Sequence, residues 1–218
     1  MTLPSTLYLP PQFNSRDMAH AAQLMREQPF ASLISVGEGG LPHVTHLPLH
    51  LVEAAEGWSL LGHCAKPNPH WRLLQAQPRA LVTFMGPHAY MSPKVYPDLA
   101  RVPTWSYLAV HATVTARLIE SPEDKDALLK QLIGDHEPPY AQQWRDLGHD
   151  YAHRMLAGIV GFELKIEQIE CKLKLNQHRK ESHAALHAVY AQGNDHERAL
   201  ARWMHRLGVT PEPPTPPA

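Results

Sequence analysis

The sequence predicts a mainly β protein of the α+β class, an antiparallel barrel carrying peripheral helices. Three observations lead there. Strand-like segments alternate with period two, as where Val110, Ala112, Val114, Ala116 and Leu118 interleave with His111, Thr113, Thr115 and Arg117. The 21 prolines among 218 residues are spread beside aromatic and apolar runs, the punctuation of a loop-rich β-protein. The order helix, strands, helix, strands, helices lacks the regular alternation of a parallel βαβ sheet, and no internal repeat is visible.

Each element has its own signal. Asn14 or Ser15 can cap a first helix running to about Gln28, with Met18, Ala21, Ala22 and Met25 on its apolar face and Pro29 ending it. From Phe30 a strand runs into Gly37, Glu38, Gly39 and Gly40 and resumes at Val44, a glycine-turned hairpin. A phosphate cradle is the poorer reading of those glycines, because no Lys-Ser or Lys-Thr follows them. Leu47, Leu49 and Leu51 then alternate with His46, Pro48 and His50, and a proline without a donor suits a sheet edge or a bulge.

Residues 58–64 and 80–85 read as further strands, the second apolar enough to be buried on both faces. Between them Asn68 at the N-cap and Pro69 in the first turn start a short helix that ends near Gln77 and Pro78. The alternating strand around Val110 should lie at the centre of the barrel. Ser121, Pro122, Glu123 and Asp124 form a cap and acidic first turn for a helix through Leu128, Leu129, Leu132 and Ile133. A second short helix is expected over residues 151–157.

Phe162, Leu164 and Ile166 fall on even positions and Ile169, Leu173 and Leu175 on odd ones, so the apolar phase flips near Gln168 and a bulge or bend is expected there. Residues 184–192 and 195–207 turn helical, with Leu200, Trp203, Met204 and Leu207 on one face. The expected organisation is a barrel domain over residues 1–180, a helical extension over 181–208 and a disordered Pro-rich tail over 209–218.

Composition excludes several classes. With 44% hydrophobic positions the chain can bury one continuous core. Lys plus Arg number 20 against 21 Asp plus Glu, a formal charge of -1, so any contact with DNA needs a local patch. Cys64 and Cys171 lie far apart, which excludes a disulfide framework and fits a reducing cytoplasm. Residues 1–13 lack a secretory pattern and no stretch approaches the roughly 20 apolar residues that span a bilayer, so a soluble, cytoplasmic protein without a membrane partner is expected. The 16 histidines include no His-Glu-x-x-His arrangement and neither cysteine has a second nearby, so no metal site is expected.

Several segments, in one order along residues 1 to about 180, carry a resemblance. They are Leu7-Tyr8-Leu9-Pro10 with Phe13, Pro29-Phe30-Ala31-Ser32-Leu33, His46-Leu47-Pro48-Leu49, Gly62-His63 with Ala65, and Asn68-Pro69 with Trp71. Gly86-Pro87-His88-Ala89-Tyr90 with Ser92-Pro93 and Tyr96 follow, then Val102-Pro103-Thr104-Trp105 with Tyr107, Val110 and His111, and Gly161-Phe162-Glu163. Together they resemble the PaiB-like family of FMN-binding negative transcriptional regulators. That resemblance implies an FMN-binding split β-barrel, similar to pyridoxamine-phosphate-oxidase-like flavoproteins, dimerising so that each flavin lies in a cleft between subunits. The chain departs from the family pattern at Lys66, where Arg is usual, at Ser106, where Asn is usual, and over residues 171–178, where Gly-Lys-Trp-Lys-Leu-Ser-Gln-Asn is usual.

The expected cofactor-binding residues follow from this frame. Lys66, Asn68 and Trp71 place a cation ahead of a helix N-terminus, a seat for the flavin phosphate. His46 and His63 can donate and accept toward the ribityl chain or ring. Tyr90, Ser92 and Tyr96 on one proline-stiffened loop, and Thr104, Trp105 and Tyr107 after another, suit pocket walls or a dimer interface. Lys174 and Gln177 approach the cofactor by resemblance, with Lys172 and Lys174 on one strand face.

Three functions are compatible with these residues. The first is a flavin-bound homodimeric regulator, with DNA kept as a candidate partner through the His-rich C-terminal helices although no helix-turn-helix stands out. The second is an FMN-dependent oxidoreductase of unknown substrate; neither a dinucleotide fingerprint nor an unmistakable acid-base pair accompanies it. The third is a binding protein for haem or another planar ligand, using a spare imidazole as axial ligand.

Overall fold

Strands dominate because the two longest alternating segments pair with each other along almost their whole length. The computed structural model describes residues 3–98 and 100–210. Their elements are β1 (Asn14–Ser15), α1 (Met18–Glu27), β2 (Phe30–Val36), β3 (Pro42–Pro48), β4 (His50–Ala54), β5 (Gly57–Ala65), α2 (His70–Ala76), β6 (Arg79–Met91) and β7 (Thr104–Ile119). They continue with α3 (Pro122–His136), α4 (Tyr140–Asp146), α5 (His149–Ala157), β8 (Ile159–Lys174), α6 (His183–Ala191) and α7 (Asp195–Arg206).

The strands form one antiparallel sheet in the order β3-β2-β6-β7-β8-β5-β4, with β1 pairing β8 off this path. Its two terminal strands, β3 and β4, are consecutive in the chain and separated only by Leu49. A sheet whose opposite ends share a one-residue link must curl until those ends meet, and its natural twist supplies the direction. No ladder joins β3 to β4 among the described residues, so the barrel stays open at a seam and the fold is a split β-barrel. Gly62 makes the close approach possible, since a Cβ there would stand 2.5 Å from Leu49 Cδ2, 3.3 Å from Leu47 Cδ1 and 3.2 Å from Phe162 Cε2.

The barrel interior is filled by Leu60, Val82, Phe84, Leu108, Val110, Val114, Phe162 and Leu164, all essentially inaccessible. At roughly 1.5–3 kcal/mol for each large apolar side chain, this burial is the main force closing the sheet. The alternation around Val110 places β7 between β6 and β8, as expected for a central strand. The phase flip near Gln168 is a bulge: Thr113 pairs with Gln168 but Val114 with Ile166, leaving Glu167 extra. The extra residue lets Ile166 and Ile169, on opposite sides of the flip, both pack against the core.

A second irregularity separates the Met85–Ala109 pair from His88–Tyr107, at Gly86-Pro87. A proline without an N–H and a glycine without a Cβ fit a place where the ladder is interrupted.

The helices close the open ends. α1 starts two to three residues later than expected, because Asn14 and Ser15 pair with Lys172 and Cys171 as β1 and Asp17 becomes the cap, accepting from Ala19 N–H at 2.9 Å. Met18 is left exposed while Leu24 joins Ala21, Ala22 and Met25 in the core. Ser121 caps α3 as expected, accepting from Asp124 N–H at 3.0 Å. α4 has no counterpart among the sequence signals; its Trp144 Nε1 donates to Asp126 at 2.7 Å.

Leu186 and Tyr190 of α6 and Leu200, Trp203 and Met204 of α7 belong to the same apolar cluster as the barrel. Glu27 at the end of α1 accepts from Trp203 Nε1 at 3.1 Å and pairs with Arg206 at 2.7 Å, tying first and last helices together. Thr210 is buried, whereas residues 211–218, where most of the Pro-rich tail was expected, lie outside the described residues.

A Cβ at residue 86 would lie 2.7 Å from Leu24 Cδ1, 2.8 Å from Leu108 Cβ and 3.0 Å from Leu108 O, so the backbone of β7 would have to yield. Gly86→Ala is expected to lower stability by about 1–3 kcal/mol, read as a lower urea midpoint at unchanged slope.

Candidate flavin site

The expected site residues fall into two groups at opposite ends of β8. The first lies where β5 runs into α2. Lys66 N–H donates to Gly158 O at 2.8 Å, and Trp71 Nε1 donates to Lys66 O at 3.0 Å, so both sides of the turn are pinned. The Lys66 ammonium itself is exposed and makes no ion pair or hydrogen bond among the described residues.

Asn68 is more committed than the sequence suggested. Its Oδ1 accepts from His70 N–H at 3.0 Å and its Nδ2 donates to Thr45 Oγ1 at 3.1 Å. The helix starts at His70, one residue later than expected, and its first amide is already satisfied. Countercharge for a phosphate therefore comes from Lys66 more than from the helix terminus.

His70, which sequence reasoning passed over as an ordinary helix residue, is the hub of this end. Only 1% exposed, it meets Thr45 Oγ1 at 2.8 Å through Nδ1 and Ser35 Oγ at 3.0 Å through Nε2, with His43 edge-on at 4.8 Å. Burial, with His43 adding to it, pushes its pKa down to about 4. The one signal in the sequence was an imidazole directly behind an Asn-Pro helix start.

His63 pairs opposite Gly161 on β5, and burial lowers its pKa as well. Its Nδ1 is buried without a hydrogen-bond partner among the described residues. Such an orphaned nitrogen suits a ligand's donor or acceptor. His46 behaves differently: it is exposed, meets Ser32 Oγ at 2.9 Å and lies against Phe30. Since Thr45 faces Asn68 and His70, alternation turns His46 to the other side of β3.

The second group forms where β6, β7 and β8 end together. Tyr90 pairs with Trp105, Met91 with Thr104 and Tyr107 with Lys174. Tyr90 lies in β6, because that strand extends to Met91, and not on the loop where it was expected. Tyr90 and Trp105 stand edge-on at 6.4 Å and remain 51% and 52% exposed, an aromatic wall facing outward. Ser92 caps the short turn that follows by accepting from Lys94 N–H at 3.2 Å.

Lys172 and Lys174 share one face, as expected, with their ammonium groups 5.0 and 5.7 Å from the Tyr107 ring. Lys174 donates to Thr104 Oγ1 at 2.7 Å, and burial together with Lys172 lowers its pKa. Tyr96 donates to Asn176 Oδ1 at 3.2 Å. Gln177 turns back on its own strand, accepting from Leu175 N–H at 2.9 Å and donating to Leu173 O, so its amide anchors the end of β8. Tyr96, Thr104, Trp105 and Lys174 line a cavity of about 300 Å³, joined by Arg101 and Arg179, which the sequence reading missed. Ser106 is sealed beneath α6 by a 2.9 Å hydrogen bond from Tyr190, whose phenol pKa burial pushes up to about 12.

Gly161, opposite His63, and Lys174, opposite Tyr107, are separated by a contour of about 40 Å along β8 at about 3.3 Å per residue. Among the described residues no hydrogen bond or ring contact joins the two groups, and none of the first group lines the 300 Å³ cavity of the second.

A seamed antiparallel barrel with helices at its open ends defines the split-barrel fold class. Two solved structures share that fold: the FAD and heme binding protein from Mycobacterium smegmatis, with TM-score 0.60, 18% identity and coverage of 74% of this chain and 73% of that one, and the flavocytochrome Anf3 from Azotobacter vinelandii, with TM-score 0.59, 15% identity and coverage of 74% and 69%. Residues 7–168 match the family described as "Putative FMN-binding domain". The chain is also 34% identical over 179 residues, 81% of its length and 84% of the relative's, to "Protease synthase and sporulation protein PAI 2" of Bacillus subtilis. It therefore belongs to the PaiB-like FMN-binding family, and FMN is the cofactor that membership assigns. The unpaired Lys66 ammonium and the orphaned His63 nitrogen are compatible with that group.

Because His70 stays neutral when folded but titrates near 6.5 when unfolded, the unfolded chain binds the proton first. Stability is fully present above pH 6.5 and falls as the pH drops toward about 4. The stability deficit of His70→Gln, measured by urea unfolding, should therefore shrink by roughly 2 kcal/mol between about pH 7.5 and 5. An equal deficit at both would show that His70 is not held neutral.

Proposed function

We propose that the protein is a homodimer that encloses FMN between two copies and acts as a PaiB-like regulator whose output follows the state of the flavin. The observation carrying this reading is the separation of the two groups of site residues along β8. A mononucleotide is too short to reach both within one chain, whereas a second copy can bring its Trp105 end to the Lys66 end of the first. The exposed Tyr90 and Trp105 support this, since an outward aromatic wall gains most from burial at an interface.

When bound, FMN supplies reversible electron transfer. The chain's own residues hold and shelter it. Lys66 meets the phosphate as a point charge, without the two-pronged geometry of an arginine. Trp71 fixes the turn that presents Lys66. His63, kept neutral by burial, offers a ring nitrogen that can donate or accept. Tyr90, Trp105 and Tyr107 exclude water from the ring system.

Regulation is supported by the family resemblance and by the sporulation role in the name of the Bacillus subtilis relative, "Protease synthase and sporulation protein PAI 2". With a formal charge of -1, direct reading of duplex DNA would depend on a local basic patch. A second reading, an FMN-dependent oxidoreductase, is favoured by the cavity beside the aromatic wall, which leaves room for a co-substrate.

Titration by flavin fluorescence at low salt should show FMN binding to wild type and at least about tenfold weaker binding to Lys66→Ala, the loss expected for one charge-assisted contact. An unchanged dissociation constant refutes the role of Lys66. Sedimentation equilibrium should give twice the chain mass at micromolar concentration, and a monomer there refutes the shared site.

A further inference from the structure

The cavity at the ends of β7 and β8 holds more positive charge than its own residues balance. Lys174, Arg101 and Arg179 line it, and no Asp or Glu does among the described residues. His178 lines it as well, but burial and the neighbouring Arg179 lower its pKa, so it adds no charge at neutral pH. Lys174 reaches only the neutral Thr104 hydroxyl. The Arg179 guanidinium makes no ion pair or hydrogen bond among the described residues. Arg101 is partly neutralised by Asp98 at 2.9 Å and Glu181 at 3.9 Å, yet its Nε is buried without an acceptor among the described residues. Among the described residues, Lys174 and Arg179 are the two lining cations without a carboxylate; Arg179 is exposed, but Lys174 is part-buried, and burial together with Lys172 already pulls its pKa down. A bound anion would offset that effect.

The shape narrows the anion. About 300 Å³ is at the small end of ligand pockets, sufficient for one ring and an acid group. Trp105 supplies a half-exposed aromatic wall. We propose that this recess binds a small aromatic carboxylate, its ring against Trp105 and its carboxylate on Lys174 and Arg179. The inference deepens the FMN reading and rests on it in one respect: the flavin phosphate belongs to Lys66, which leaves the recess to a second ligand, an effector or co-substrate of the same site.

Benzoate is the probe, benzamide its neutral isostere and inorganic phosphate the competing oxyanion, each titrated into the full-length protein with and without FMN. Tryptophan emission and calorimetry report binding. Benzoate is expected to bind saturably and benzamide at least about tenfold more weakly, with Lys174→Met and Arg179→Gln each weakening benzoate by about tenfold or more. Lys66→Ala should leave benzoate binding intact, and Arg179→Gln should leave FMN affinity intact.

The proposal is overturned if benzamide binds as well as benzoate, or if both recess variants bind benzoate like wild type. It is equally overturned if phosphate displaces benzoate at lower concentration than benzoate itself binds, or if Arg179→Gln weakens FMN as much as benzoate, which would make the recess the flavin's phosphate seat. Should wild type fail to bind FMN, the benzoate titration still reads the recess independently.

Discussion

The one-residue link between β3 and β4 is the constraint from which the rest of this architecture follows. It joins the two ends of a sheet whose path runs through every other long strand, so the sheet cannot lie flat. Curling brings Leu47 and Leu49 against Gly62 and Phe162 and turns the apolar faces of β6, β7 and β8 inward. Because the seam is closed by side chains and not by backbone hydrogen bonds, the fold retains two open ends, and the chemically interesting residues collect there.

Those ends differ in electrostatic character. At the β5–α2 end the imidazoles of His63 and His70 are neutral because burial disfavours their charge, and the Lys66 ammonium, unpaired among the described residues, stands beside them. At the β7–β8 end the buried charge is positive and crowded: Lys172 is 3% exposed, donates to Tyr8 O at 2.7 Å and neighbours Lys174 across the Tyr107 ring. One end thus offers polar nitrogen and a point charge, while the other offers aromatic surface with cations behind it.

The chain termini reinforce this division. Burial raises the Glu170 carboxyl's pKa, but hydrogen bonds from Ser5 and Thr6 outweigh it and hold the carboxyl below its usual range, fastening the N-terminal arm across β8. At the other terminus α6 and α7 pack into the barrel's own core, and Tyr190 closes over Ser106.

Local patterns in the sequence were sufficient for the elements whose causes are local. The period-two run of β7, the Ser121 cap, the glycine hairpin and the phase flip that became the Glu167 bulge all depend on neighbours a few residues away, and all are readable from them. The motifs carrying the family resemblance were legible for the same reason. Tertiary structure alone decided the rest. Asn14 and Ser15 became a strand because β8 was beside them, His70 became a buried hub because the β2–β3 hairpin folded over it, and Arg101 and Arg179 met Lys174 although no spacing links them. Side-chain type and spacing specify what a segment prefers, but which charges share a cavity depends on the register of strands distant in sequence.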